Sequence, residues 1–285
     1  MTSAKISGIV MLAGTLLLGE QLARLSGPES GFVFDEHTRS IRVIVGVPGA
    51  AYLGRAVVSD LDAGSVSPDG RLAVVVIGTQ VALLRLGSEK AAASALGEAP
   101  GAVSRIVWSD DSSVVALAGF AAFRVGGTGV ADRLRAAPAD ALAVNRNGTL
   151  LTMDNAVAAA VHGTEFYVAV EKQVLRVRNF EESPEMSHVA SVEDPAALAV
   201  SADGRTLWVA DRASRSVLSI RTDTLAPMGA VAMDFEPARM EVVSGRLFRL
   251  DARTTGQGPV QLLDPARGMV FFVPTQDLST AVLED

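Results

Sequence analysis

The sequence predicts an all-β chain, a β-propeller of six full blades plus one truncated blade, nominally seven-bladed. Three observations carry this expectation. First, Ala196 to Thr222 reads as one meander: an apolar strand (Leu198 to Val200), an Asp203-Gly204 turn, a strand (Leu207 to Ala210), a polar turn (Asp211 to Arg215) and a third strand (Val217 to Ile220). Gly204 accepts the positive φ that a tight turn demands, and an Asp at 203 can bond its own backbone two residues on. Second, copies of this unit recur about every 40 residues, the spacing of propeller blades. Third, strands such as Ala73 to Val76 are apolar on both faces, as sheets covered by a neighbour on each side must be.

Residues 1–26 are expected to be a signal peptide or N-terminal anchor, and residues 27–285 a single propeller domain. Lys5 supplies one positive charge, and the stretch from Ile6 to Gly19 is free of charge until Glu20 closes it. That is the pattern of a secretory apolar core, and it is shorter than the roughly 20 residues a membrane span needs. A competing reading makes Glu20 to Leu25 an inner strand of the first blade, because Leu22-Ala23 precedes Leu198-Ala199 by the same offset that separates Asp35 from Asp211.

The repeats then run in order. Phe32 to Ile44 aligns without gaps on Trp208 to Ile220, which sets Asp35 on Asp211, four blade periods further along the chain. Val66-Ser67-Pro68-Asp69-Gly70-Arg71-Leu72 opens the next unit, with a later strand at Val81 to Leu86. Ile106 to Ser112, Val114 to Ala118 and Ala121 to Val125 form another, with Ser112 in the place of Gly70. After Gly126-Gly127 the spacing shortens: Leu142 to Gly148 starts a unit sooner than a full period after Ser112, and Gly163 to Val170 starts the next at once. Asp140 to Asn155 is therefore expected to be a strand pair without its outer partners, leaving a seam between full blades. Gly163, Gly204 and Gly245 are evenly spaced, one period apart, and the last unit runs from Met240 to Val273. The alanine runs at Ala91 to Ala95 and Ala156 to Ala160 favour helix locally, but short runs beside turn residues do not outweigh the repeat.

Val66 to Leu72 and Val200 to Asp211 (Val-Ser-Ala-Asp-Gly-Arg-Thr-Leu-Trp-Val-Ala-Asp) resemble the bacterial YVTN-type and lactonase-like β-propeller repeat family. The resemblance spans roughly residues 30 to 275. It implies the fold and says little about function, since such propellers host scaffolds, binders and hydrolases.

Composition narrows the functions. Net charge is −7 with no Lys/Arg block, so the footprint of a nucleic-acid binder is missing. The absence of cysteine removes disulfides, thiolate metal sites and cysteine nucleophiles. No Gly-x-Ser-x-Gly elbow occurs, so no catalytic residue is assigned. The lactonase-like resemblance implies a channel cation held by oxygens of several blades, for which Asn145, Asn147, Asp154, Asp203 and Glu241 are the positions to weigh. Turns account for Asn147 and Asp203, which leaves Asp154 and Glu241 as weak metal candidates. His37, His162 and His188 share no ligand spacing and read as surface histidines. Glu181, Glu182 and Glu185 around Pro184 read as a solvated loop, and Trp108 and Trp208 as packing between sheets. The expected function is thus a non-catalytic binding or scaffold propeller, exported to the periplasm or beyond, without a cofactor. Its partner would be a protein, peptide or glycan, with membrane association only through residues 1–26. A lactonase-like hydrolase with a channel cation is the alternative, and a subunit of an envelope assembly a third reading.

Overall fold

The computed structural model describes residues 29–274, apart from 48, 88–91, 127–128, 130, 244–246, 253–259 and 266. The expected leader at 1–26 and the Gly245 turn lie outside the described residues. Every regular element among those described is a strand, and no helix is long and apolar enough to cross a membrane.

The first blade is β1 (Glu29–Asp35), β2 (Ser40–Val45) and β3 (Tyr52–Val58). The second is β4 (Ala63–Val66), β5 (Leu72–Ile77), β6 (Gln80–Arg85) and β7 (Ala93–Glu98); the third is β8 (Ile106–Trp108), β9 (Val114–Leu117), β10 (Ala121–Val125) and β11 (Ala131–Ala136). A hairpin of β12 (Ala143–Val144) and β13 (Leu150–Leu151) is the truncated blade. The fourth blade is β14 (Ala156–His162), β15 (Glu165–Val170), β16 (Gln173–Arg178) and β17 (Glu185–Ser191). The fifth is β18 (Pro195–Val200), β19 (Thr206–Asp211), β20 (Ser216–Arg221) and β21 (Pro227–Ala232), and the sixth β22 (Pro237–Val242), β23 (Phe248–Ala252), β24 (Val260–Asp264) and β25 (Met269–Val273). The chain is thus a propeller of six blades with a two-stranded remnant between the third and fourth. Ala93 to Ala95 of the first alanine run lie in β7 and Ala156 to Ala160 in β14, because stacking between blades outweighs local helix preference.

Two turn devices repeat. Between the first and second strands, a serine takes the place of a missing ladder bond and an aspartate locks the serine. Ser201 Oγ donates to Asp203 Oδ1 at 2.7 Å and accepts from the Thr206 amide at 2.9 Å. Ser67 with Asp69 and Ser109 with Asp111 do the same at 2.6 and 2.7 Å. The turn residue is left-handed throughout: Gly70, Gly148 and Gly204 have φ of 72°, 88° and 70°, and Ser112, which stands in for glycine, has 62°. Between the second and third strands of the fifth blade, Asp211 accepts from the Ala213 amide at 3.1 Å and Ser214 Oγ at 2.6 Å, and Ser214 meets Ser216 at 2.7 Å. Asp35, His37, Thr38 and Ser40 repeat that network with matching lengths in the first blade. The predicted alignment is therefore real, and it makes β1 and β2 the equivalents of β19 and β20.

The core sits between blades. Val74 and Val76 of β5 pack with Val115 and Leu117 of β9, and the Trp208 ring of β19 lies 6.3 Å from Phe248 of β23. Burial of each such side chain contributes roughly 1.5–3 kcal/mol. Val33, Ile44 and Leu53 pack on Leu247, Val260 and Leu262, which brings the sixth blade against the first and closes the ring. The remnant is wedged rather than hanging: Val144 packs on Val114 and Ala116 of the third blade, Leu151 on Phe166 and Val168 of the fourth, and both are 0% exposed. Outside the remnant, Arg135 of β11 reaches Glu181 of the fourth blade at 3.4 Å, so the expected seam is partly bridged.

Candidate functional site

The inner strands enclose a central channel of about 1260 Å³. Its wall is asymmetric. Val157 to Val161 of β14 and Ala196 to Val200 of β18 give an uncharged arc of small and branched side chains. Val157 is 47% exposed there, high for a large apolar residue. The adjoining arc, from β22 through the first blade to the start of β4, carries Glu36, Arg39, Asp62, Arg239 and Glu241.

Arg239 organises the charged arc. Its Nη1 lies 2.5 Å from Glu36 Oε1 and 3.9 Å from both Glu241 Oε1 and Asp251 Oδ2. Arg249, 6% exposed, holds Asp251 Oδ1 at 2.7 Å and donates through Nη1 to the Phe34 carbonyl. Burial works against the Arg239 charge, but Glu241, Glu36 and Asp251 outweigh it and keep its pKa above the ordinary value. Burial pushes the Glu241 carboxyl up, with Asp251 and Glu36 adding to the rise against Arg249 and Arg239. The Glu241 side chain nonetheless keeps 43% exposure, because it faces the channel rather than packed protein. Three carboxylates from two blades thus surround one guanidinium, one at 2.5 Å and two at 3.9 Å. Beside this cluster, along β18 and β14, an apolar ligand face has a wall to lie on.

At the channel end formed by the first-to-second-strand turns, Asp110 is the hub. Its Oδ2 accepts from Arg146 Nη2 at 3.0 Å and the Gly163 amide at 2.9 Å, and faces His162 Nδ1 at 3.1 Å. Asp110 Oδ1 is buried and takes no hydrogen bond. His162 is therefore a half-buried bridge across the remnant rather than a free surface histidine. His37 sits in the β1–β2 turn, and His188 is exposed on β17.

Of the two metal candidates, Glu241 lines the channel on β22, while Asp154 is exposed in the turn before β14, in a different blade, and does not line it. Asp203 is held by its turn: the Ser201 hydroxyl and the Arg205 amide keep its pKa below the usual carboxylate value. Among the described residues no group of three His, Asp or Glu side chains is arranged to hold a metal ion. The Glu36–Arg239–Asp251–Arg249 network was not foreseen, because Glu36 and Arg239 are 203 residues apart. A signal did exist in the i, i+2 pairs Arg239/Glu241 and Arg249/Asp251, which share a strand face. Trp208 fulfils its expected packing role, and Trp108 packs on the second and third blades while also edging the channel.

No family model matches the chain, and no curated protein is similar to it. Among solved structures, a candidate 6-phosphogluconolactonase from Bacteroides fragilis is similar with a TM-score of 0.50 and 12% identity, over 87% of this chain and 92% of that one. Apo AztD from Citrobacter koseri gives 0.48 and 13%, over 86% and 94%. The Swd1 β-propeller domain from Myceliophteria thermophila gives 0.42 and 16%, over 79% and 69%. Likeness at this level of identity concerns the fold alone.

Proposed function

We propose that this chain is a non-catalytic binding propeller, exported by way of residues 1–26, whose channel takes a peptide, protein segment or glycan. The observation that carries the reading is the Arg239 cluster. The one metal candidate on the channel wall, Glu241, already has a cation of the protein's own 3.9 Å away, and Glu36 has the same cation at 2.5 Å, so these carboxylates are engaged without a divalent ion. The uncharged arc of β14 and β18 beside it supplies area for an apolar ligand face, with the charged groups of β22 and the first blade to orient its polar part. Peptide and glycan arrays probed with the wild type and with Val157→Arg, which places a long cation in the channel, test this. Ligands that bind the wild type and not the variant support the reading. Binding that survives Val157→Arg, or none on either array beside a lactone-hydrolysis rate that tracks an added cation, contradicts it and supports the hydrolase reading.

A further inference from the structure

Three arginines line the channel, and two of them are engaged: Arg39 with Asp62 and, at 2.7 Å, the Leu61 carbonyl, and Arg239 with Glu36. The third, Arg105, is exposed, and its guanidinium has no hydrogen bond or ion pair among the described residues. It closes a long connection. The outer strand of one blade hands over to the inner strand of the next after four residues between β3 and β4, three between β17 and β18, and four between β21 and β22, whereas seven, Ala99 to Arg105, join β7 to β8. Both ends of that loop are fixed, since the Ala99 amide donates to the Thr79 carbonyl at 2.8 Å and the Ala118 amide to the Arg105 carbonyl at 2.9 Å. Val103 packs on the core between the second and third blades. Between these anchors the backbone amides of Gly101 to Arg105 and the Ser104 hydroxyl have no hydrogen-bond partner among the described residues, and a side chain at Gly101 would meet nothing within 4 Å. Val103, Ser104 and Arg105 all line the channel.

We propose, on the binding-channel reading above, that this loop captures the C-terminal carboxylate of an extended peptide, with Arg105 and Ser104 as anchors and Val157 as the seat of the peptide's last, apolar side chain. The blades repeat one meander, so the starts of β8 and β14 lie at the same channel end, opposite the first-to-second-strand turns, with the remnant's β12 between them. Arg105 immediately precedes β8, and Val157 is the second residue of β14 and 47% exposed. A cation with unused donors and an uncovered apolar side chain therefore share one mouth. A C-terminal residue offers the matching pair, a carboxylate and a side chain on the same Cα. The guanidinium fork binds a carboxylate through two parallel N–H···O bonds, and unpaired backbone amides beside a hydroxyl suit an anion that ends a chain. Inorganic phosphate would use the cation and leave Val157 uncovered. Asp62 and Glu36, acids of the same mouth, are held by Arg39 and Arg239 and so oppose an incoming carboxylate little. The other mouth is lined by Asp69, Asp110 and Asp111 and by no lysine or arginine, which directs the carboxylate to the Arg105 end.

The test uses random N-acetylated pentapeptides ending in valine, one pool as free acids and one as carboxamides, incubated with the immobilised full chain at pH 7 and quantified by mass spectrometry. The free-acid pool is expected to be retained at least about tenfold over the carboxamide pool, the worth of a charge-assisted hydrogen bond. Arg105→Ala should abolish that preference and melt with the wild type, because the side chain it removes has no partner among the described residues. Arg71→Ala, which removes an 84% exposed arginine away from this mouth, should keep the preference. A preference that persists in Arg105→Ala, or that Arg71→Ala removes equally, overturns the proposal. Equal retention of the two pools, lost in Val157→Arg, also overturns it but leaves the binding channel standing. Retention of neither pool overturns it and leaves the channel to a glycan.

Discussion

His162 Nδ1 lies 3.1 Å from Asp110 Oδ2, a contact between the third and fourth blades that passes over the remnant between them. The same His162 ring lies on Gly204 of the fifth blade, where an added Cβ would come within 2.1 Å of Nε2. One histidine of the fourth blade thus meets turns of the third and fifth blades at one channel end.

Gly204→Ala should therefore cost more than Gly70→Ala. Both sites have nearly the same φ, 70° and 72°, so the backbone penalty of about 1 kcal/mol is common to both. At Gly70 the nearest atom to a new Cβ is 3.8 Å away, whereas at Gly204 the imidazole must move, adding roughly 1 kcal/mol. Chemical denaturation of both variants checks this, and a His162→Ala background should erase the difference.

Ser112 combines a left-handed φ of 62° with an acceptor for the Asp69 amide at 3.1 Å, a bond between blades. Ser112→Ala keeps the strain and loses the bond, so it should lower stability by about 1 kcal/mol. Ser112→Gly loses the bond but relieves the backbone, and should be close to neutral. Equal losses in both variants would count against this division.

The remnant has only two paired residues in each strand, Ala143 with Leu151 and Val144 with Leu150. Despite their burial, its amides should open before those of Leu207 to Ala210, which lie mid-sheet between two partner strands. Hydrogen exchange resolved by residue checks the order; equal protection in Leu142 to Leu151 would mean the flanking blades lock the hairpin fully.

Glu241 sets a pH dependence. Its folded pKa lies above the ordinary 4.5, so the folded protein holds this proton more tightly than the unfolded chain does. The contribution is favourable below about 4.5 and is lost as pH rises through the folded value. Glu241→Gln should flatten the stability curve above that point and be neutral or mildly stabilising at pH 7, by no more than about 1 kcal/mol given the side chain's 43% exposure. A clear loss at neutral pH would mean that Arg239 depends on Glu241 more than on Glu36.

Removing the internal cation should have the opposite sign. Arg239→Ala leaves Glu36, Glu241 and Asp251 facing one another, and is expected to destabilise at pH 7 by about 1 kcal/mol, given the solvent access of the cluster, with partial recovery in millimolar calcium. Thermal melts with and without calcium read both effects.

Much of this was legible in the sequence because the turns advertise themselves locally. Ser-x-Asp-Gly at 67–70 and 201–204 encodes a self-contained hydrogen-bond device, and Asp35 repeats Asp211 residue for residue. The spacing collapse after Gly126 located the two-stranded remnant. What local pattern could not reveal was contact around the ring: Glu36 meets Arg239, and Arg249 meets Phe34, only because the sixth blade closes on the first. His162 was hidden for a similar reason, since Asp110 and Gly204 reach it from neighbouring turns and not from its own strand.

The most direct test is metal content with activity. Purified protein is equilibrated with calcium, magnesium, manganese and zinc, desalted, analysed for bound ions and assayed with lactone and ester substrates. A channel whose carboxylates are engaged by Arg239 should retain far less than one ion per chain and hydrolyse neither substrate. Retention of about one ion per chain, lost together with a lactonase rate in Glu241→Ala or Asp154→Ala, would contradict it and make the channel a hydrolytic metal centre.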